Sequence, residues 1–107
     1  MSKQKRETNY LPPIHPGDIL KTEFMEPLGL SSNHLARMLA VPPNRVLEIV
    51  NGKRGISVET AYKLARCFGT SVEMWLNLQQ RYELRKARYE RMTDKWDKEV
   101  RLLPAIA

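Results

Sequence analysis

Cysteine is nearly missing. Cys67 stands alone among 107 residues, so the chain can close no internal disulfide, and a reducing cytoplasm suits it. Aromatic residues make up only 7%, which fits aliphatic helix packing better than an aromatic-rich sandwich. No apolar run approaches the ~18 residues of a membrane span, so no membrane association is expected. The opening stretch MSKQKRETNY lacks an apolar segment, and no signal peptide is expected. No segment sustains the period-two alternation of a half-buried strand, so no substantial sheet is expected. Glycine-rich phosphate loops, HExxH pairs, Cys/His clusters and nucleophile motifs are all missing. Neither enzyme chemistry nor a metal or other cofactor is therefore expected.

What is present points elsewhere. A hydrophobic fraction of 42% over 107 residues supports one domain's core, and a chain of this size buries roughly 65% of its extended surface. Eighteen Lys and Arg against twelve Asp and Glu give a net charge of +6. That excess favours a polyanionic partner such as nucleic acid.

The helical signals come in order. Residues 1–13 are polar and basic and read as a flexible arm. Pro16 suits the first position of a first helix, where its missing N–H is not needed, and Asp18 complements the helix dipole. Ile19, Leu20 and Phe24 make its inner face, with Pro27 and Gly29 expected to end it. Ser31 or Ser32 caps a second helix with Leu35, Ala36 and Leu39 inward. After Ala40, Val41 and Pro42, a third helix starts at Pro43 and buries Val46, Ile49 and Val50, until Asn51-Gly52 stops it. Ser57 caps a fourth, with Ala61, Leu64, Ala65 and Phe68 inward and Gly69 as its stop. Ser71 caps a fifth that can run on as an extended C-terminal helix. The expected fold is all-α: a five-helix domain over residues 14–84, with an amphipathic helical extension over 85–107.

The break between the second and third helices carries the functional signal. Two short helices joined by a three- or four-residue turn make a helix-turn-helix, whose second helix enters the DNA major groove. Asn44, Glu48 and Asn51 fall opposite the Val46 stripe, with Arg45 beside them. Arg suits the guanine edge, Asn the adenine edge, and Glu accepts from cytosine. Lys53 and Arg54 follow in a turn suited to phosphate. Helix pattern alone is equally satisfied if these residues are only the solvated face of an amphipathic helix.

The pieces HPGDIL, EPLGL, NGKRGIS, A-KLA--FGTS and WLNLQ--YEL, in this order and spacing across residues 15–84, resemble the HigA family of antitoxins. That family lies within the Xre group of phage-repressor-like helix-turn-helix proteins. The resemblance implies a homodimer that binds a palindromic operator in its own promoter. It also implies neutralisation of a small HigB-like toxin, a ribosome-associated RNase that cleaves mRNA. Carried over by position, the implied DNA contacts are Ser32, Pro43, Asn44, Arg45, Glu48, Asn51, Lys53 and Arg54. The chain departs from the wider repressor pattern in two places. Ala40 stands where many relatives have glycine, at a cost of roughly 1 kcal/mol if it turns left-handed. Pro42 replaces the usual Ser or Thr cap, and Pro43 cannot donate to a base, so an apolar contact is expected there. A stand-alone Xre-type regulator without a toxin fits the same residues.

Other candidates read more plainly. His15 and His34 suit surface or capping roles, Cys67 suits packing, and Glu73 complements a helix dipole. Trp75, Leu78 and Tyr82 share one stripe of the fifth helix, which fits plain core, but a dimer contact fits at least as well and is the expectation for them. Tyr89, Met92, Trp96, Val100 and Leu103 continue an apolar stripe along the extension.

Overall fold

The computed structural model describes residues 11–104, and all regular structure among them is helical. The first ten residues of the expected arm lie outside the described residues, and 11–13 carry no regular structure. Helix α1 covers 16–28, α2 Ser32–Leu39, α3 Pro43–Val50, α4 Val58–Phe68, α5 Val72–Tyr89 and α6 Met92–Glu99. The chain divides into two compact units: Ile14–Tyr82, and a second whose described residues are 11–13 and 83–104.

In the first unit, α1 is started by His15, whose Nδ1 accepts from the Gly17 N–H at 2.9 Å, with Pro16 in the first turn. Its middle, Leu20–Met25, is a π-helix in which the Glu26 N–H reaches back to the Lys21 carbonyl. That detail corrects one expectation. Pro27 does not end the helix but lies inside its last turn, Glu26–Leu28, and Gly29 at φ 63° ends it alone. The widened turn just ahead of Pro27 relieves the ring's clash with the preceding carbonyls, which a regular α-helix would suffer.

The remaining starts and stops follow local chemistry. Ser31, Ser57 and Ser71 each accept the backbone N–H three residues on, at 3.1, 3.2 and 3.0 Å, and Gly69 at φ 72° closes α4. Leu20, Leu35, Leu39, Val46, Ile49, Ala61 and Leu64 meet in the core. Gly17 lets α1 approach the backbone of α3: a Cβ built there would sit 2.7 Å from the Ile49 carbonyl carbon and 2.9 Å from the Val50 Cα.

Trp75 is fully buried at 0% exposure. Its ring lies 5.0 Å from that of Phe24, and its Nε1–H donates to Thr70 Oγ1 at 2.8 Å. It therefore belongs to the core and offers no surface to a second copy, contrary to the dimer role expected from its stripe. Leu78 and Tyr82 are half-buried.

In the second unit, the continuous extension expected from the sequence is broken. Helix α5 stops at Tyr89, Arg91 turns left-handed at φ 64°, and α6 follows. No glycine or proline marks that break. Arg91 pairs with Asp94 at 3.0 Å across the start of α6, a helix that buries none of its residues. Tyr89, Met92, Trp96, Val100 and Leu103 are all exposed.

Candidate nucleic-acid interface

Helix α2 ends at Ala40, in the left-handed conformation at φ 55°, ψ 49°. The departure from glycine is thus accepted at its roughly 1 kcal/mol strain. Pro42 then holds an extended conformation without a side-chain cap, and Pro43 opens α3. The entry is closed by the Arg45 N–H donating to the Pro42 carbonyl at 3.0 Å. The turn is instead tied from α4, through its carbonyl at Ala40. Lys63 Nζ donates to the Ala40 carbonyl at 3.1 Å and pairs with Glu59 at 3.0 Å. The hydrogen bond and charge of Lys63, with a smaller contribution from Arg45, hold the Glu59 carboxyl below its ordinary range.

Along α3, Val46 and Ile49 are buried while Asn44 and Asn51 are exposed and Arg45 and Glu48 half-buried. Val50, expected inward with them, is only half-buried. Pro43 is exposed at the helix start, and Ser32 is half-buried in the first turn of α2. Leu47 also faces outward, 49% exposed. Sequence reasoning missed it, although its position off the 46/49/50 stripe was the available signal. An exposed Leu on this face suits contact with a thymine methyl group.

The segment after α3 is held as firmly as the one before it. Gly52 turns at φ 74°, and the Lys53 N–H donates to the Glu48 carbonyl at 2.8 Å. Gln79 on α5 accepts from the Ile56 N–H at 2.8 Å. Its amide lies so close to Gly55 that a Cβ there would come within 2.8 Å of Nε2. Lys53 and Arg54, both exposed, therefore ride on an anchored loop. Three of the expected contact residues are brought together directly. Glu48 Oε1 accepts from Arg54 Nε at 2.8 Å, and Glu48 Oε2 accepts from Asn44 Nδ2 at 3.3 Å.

The residues weighed for other chemistry have plain places. His15 caps α1 and packs its ring edge-to-face with Tyr82, centroids 4.8 Å apart, whereas His34 is exposed. Cys67 is half-buried beside the core, and burial pushes its thiol pKa up. Among the described residues no group of three or more His, Cys, Asp or Glu is placed to hold a metal ion. Among them also, no helix is long and apolar enough to cross a membrane.

A helix pair joined at Ala40, with the second helix showing amide, guanidinium and carboxylate side chains outward and cations in the next turn, defines a helix-turn-helix DNA-binding domain. Residues 22–75 match the helix-turn-helix family model. The chain is 45% identical over 85 residues to virulence-associated protein I of Dichelobacter nodosus, covering 79% of each. It is similar to the structure of an addiction module antidote protein of the HigA family from Coxiella burnetii. The TM-score is 0.80 at 45% identity, over 87% of this chain and 100% of that one. A Pseudomonas aeruginosa antitoxin HigA, solved with the higBA promoter, gives a TM-score of 0.80 at 42% identity, over 85% of this chain and 98% of that one. The chain belongs to the HigA family of Xre-type helix-turn-helix proteins.

Proposed function

We propose that this protein is the antitoxin of a type II toxin–antitoxin pair and represses its own promoter. It acts in the cytoplasm as a homodimer that binds a palindromic operator and also neutralises a HigB-like mRNA-cleaving toxin. The observation that carries the DNA half is the outward face of α3, with Asn44, Arg45, Glu48 and Asn51 on one side and Val46 and Ile49 buried on the other. Ser32 and Pro43 contact the duplex at the helix starts, Lys53 and Arg54 grip phosphate, and the side chains of α3 reach the base edges. Similarity to an antitoxin solved with its promoter supports this reading. One copy reads too few base pairs for specificity, so two copies place their α3 helices about 34 Å apart on successive major-groove faces. With Trp75 inside the core, the contact between copies uses the outer surface of α5 around the half-buried Leu78 and Tyr82.

A face engaged with DNA cannot also cover a toxin, so the inhibitory surface lies elsewhere. The candidates are the arm before Pro16 together with α1, and the tail after Leu84. Exposed Met92 and Trp96 make the tail an apolar surface of the kind that marks an interaction site. Deleting residues 1–14 and residues 88–107 separately, then measuring toxin and operator binding, tests the assignment. At least one deletion should lose the toxin and keep the operator. Retention of the toxin by both would place the inhibitory surface on the globular unit. Full toxicity of the neighbouring gene product in the presence of the intact protein would leave a stand-alone regulator.

A further inference from the structure

Glu48 is the only acidic residue in α3, and it sits on the face that the proposed function turns toward DNA. Among phosphates a carboxylate is out of place unless something holds it there. Both of its oxygens are held: Oε1 by Arg54 Nε at 2.8 Å and Oε2 by Asn44 Nδ2 at 3.3 Å. A carboxylate only accepts hydrogen bonds. It therefore dictates which end of the Asn44 amide faces it, because the opposite orientation would set the amide oxygen against a carboxylate oxygen. With one N–H given to Glu48, Asn44 keeps Oδ1 as an acceptor and its second N–H as a donor, side by side. Adenine presents the complementary pair in the major groove, the N6 amino donor and the N7 acceptor.

We propose that Glu48 is a positioning residue, which fixes Asn44 in the orientation that reads adenine and holds the Arg54 guanidinium next to it. It does not read a cytosine itself. The proposal rests on the operator-binding reading above. In free protein the contacts are weak, because Glu48 and Arg54 are partly exposed and water competes. They strengthen when DNA displaces that water, at the moment when the orientation of the amide matters. Glu48 also lowers the local positive charge, so the face gives up some general affinity for phosphate in exchange for selectivity.

The test starts without a known operator. The full-length protein selects its preferred site from random duplexes, and affinities are then measured for that site and for every single base-pair change in it. The same panel is run with Glu48→Gln, Asn44→Ala and the double variant, with thermal melts of each. Glu48→Gln keeps the shape but carries an amide whose NH2 can face the Asn44 oxygen, so the Asn44 amide is free to turn over. Glu48→Gln is expected to melt with the wild type and to lose about fivefold or more of the preference for an A·T pair. Asn44→Ala should lose preference at that same pair, and the double variant should lose no more than Asn44→Ala alone.

The proposal is overturned by loss at a G·C pair whose preference Asn44→Ala leaves intact, which would make Glu48 a base reader. Uniform tightening on every duplex with the A·T preference unchanged, additive losses in the double variant, or a lowered melting temperature for Glu48→Gln would overturn it equally. A wild type that selects no sequence refutes the operator reading and this proposal with it. A wild-type preference lost in Asn44→Ala keeps that reading standing whatever Glu48→Gln does.

Discussion

Replacing Gly17 with alanine adds one methyl group where α1 crosses α3. The new Cβ would overlap the Ile49 carbonyl and lie 2.9 Å from the Val50 Cα, against an ordinary contact of 3.4 Å or more. Both neighbours are backbone, so no side chain can swing away. Relief requires the helices to part by at least about 0.7 Å, given the 2.7 Å approach to the Ile49 carbonyl carbon. A gap of that size forfeits a quarter to a half of each dispersion contact across the joint, and overpacking of this kind costs about 1–3 kcal/mol or more. Alanine's better helix propensity returns about 1 kcal/mol at most. The net loss of about 2 kcal/mol should lower the melting temperature by about 10 °C in a domain of this size. Operator affinity should fall as well, because the displaced element is the proposed reading helix. Gly29→Ala is the control. Nothing lies within 4 Å of its added Cβ, and only the strain of φ 63° is incurred, about 1 kcal/mol. Thermal melts followed by circular dichroism decide the matter. Gly17→Ala melting with the wild type, or above Gly29→Ala, would refute the close-approach reasoning.

Asn44→Ala and Arg45→Ala should each weaken operator binding by ~1–3 kcal/mol and relax base preference. Lys53→Ala should weaken all duplexes alike and flatten the salt dependence, as titrations at several salt concentrations would reveal. Gln79→Ala leaves the Ile56 N–H without its partner and should cost about 1–2 kcal/mol in a urea denaturation series. Its effect on DNA should exceed that of Lys53→Ala, weakening all duplexes and relaxing base preference as well, because the freed loop carries both cations and holds the exit of α3. Burial raises the Cys67 pKa, so iodoacetamide should react slowly with the native protein at neutral pH and faster once the chain is unfolded. The sign is that of a folded pKa above the unfolded one. The contribution to stability is whole below the unfolded value and is lost as pH rises through the folded value. Native alkylation as fast as that of the unfolded chain at neutral pH would contradict it.

Much of this fold was legible because its signals are local. Ser31, Ser57 and Ser71 each announce a helix within three positions, Gly69 ends one in a single residue, and Val46 with Ile49 gives the inner face of α3. The outer face follows by subtraction, which is how Asn44, Arg45, Glu48 and Asn51 stand out. The misreadings have local causes too. Pro27 reads as a stop unless the π turn before it is known, and Arg91 turns left-handed where neither glycine nor proline gives warning. Trp75 fits a surface stripe and a core stripe equally well until the neighbouring Phe24 is placed.

What the sequence could not disclose is the bracing of α3 from outside. Its entry is a turn with a strained Ala40 and no side-chain cap, and its exit is a loop bearing two cations. Each end is tied by one long polar side chain, Lys63 to the Ala40 carbonyl and Gln79 to the Ile56 N–H, and each tie spans 23 positions. No window of helical periodicity reaches that far, and Lys and Gln on a helix surface otherwise read as solvated. Base reading needs side chains held to within a fraction of an ångström, and the apolar contacts of Val46 and Ile49 fix only the inner face of the helix. In the proposed operator complex, position along the groove is set at the two ends. A chain with every residue of α3 intact should therefore lose discrimination as well as stability if Lys63 and Gln79 were both replaced, because its proposed reader would be present but loosely aimed.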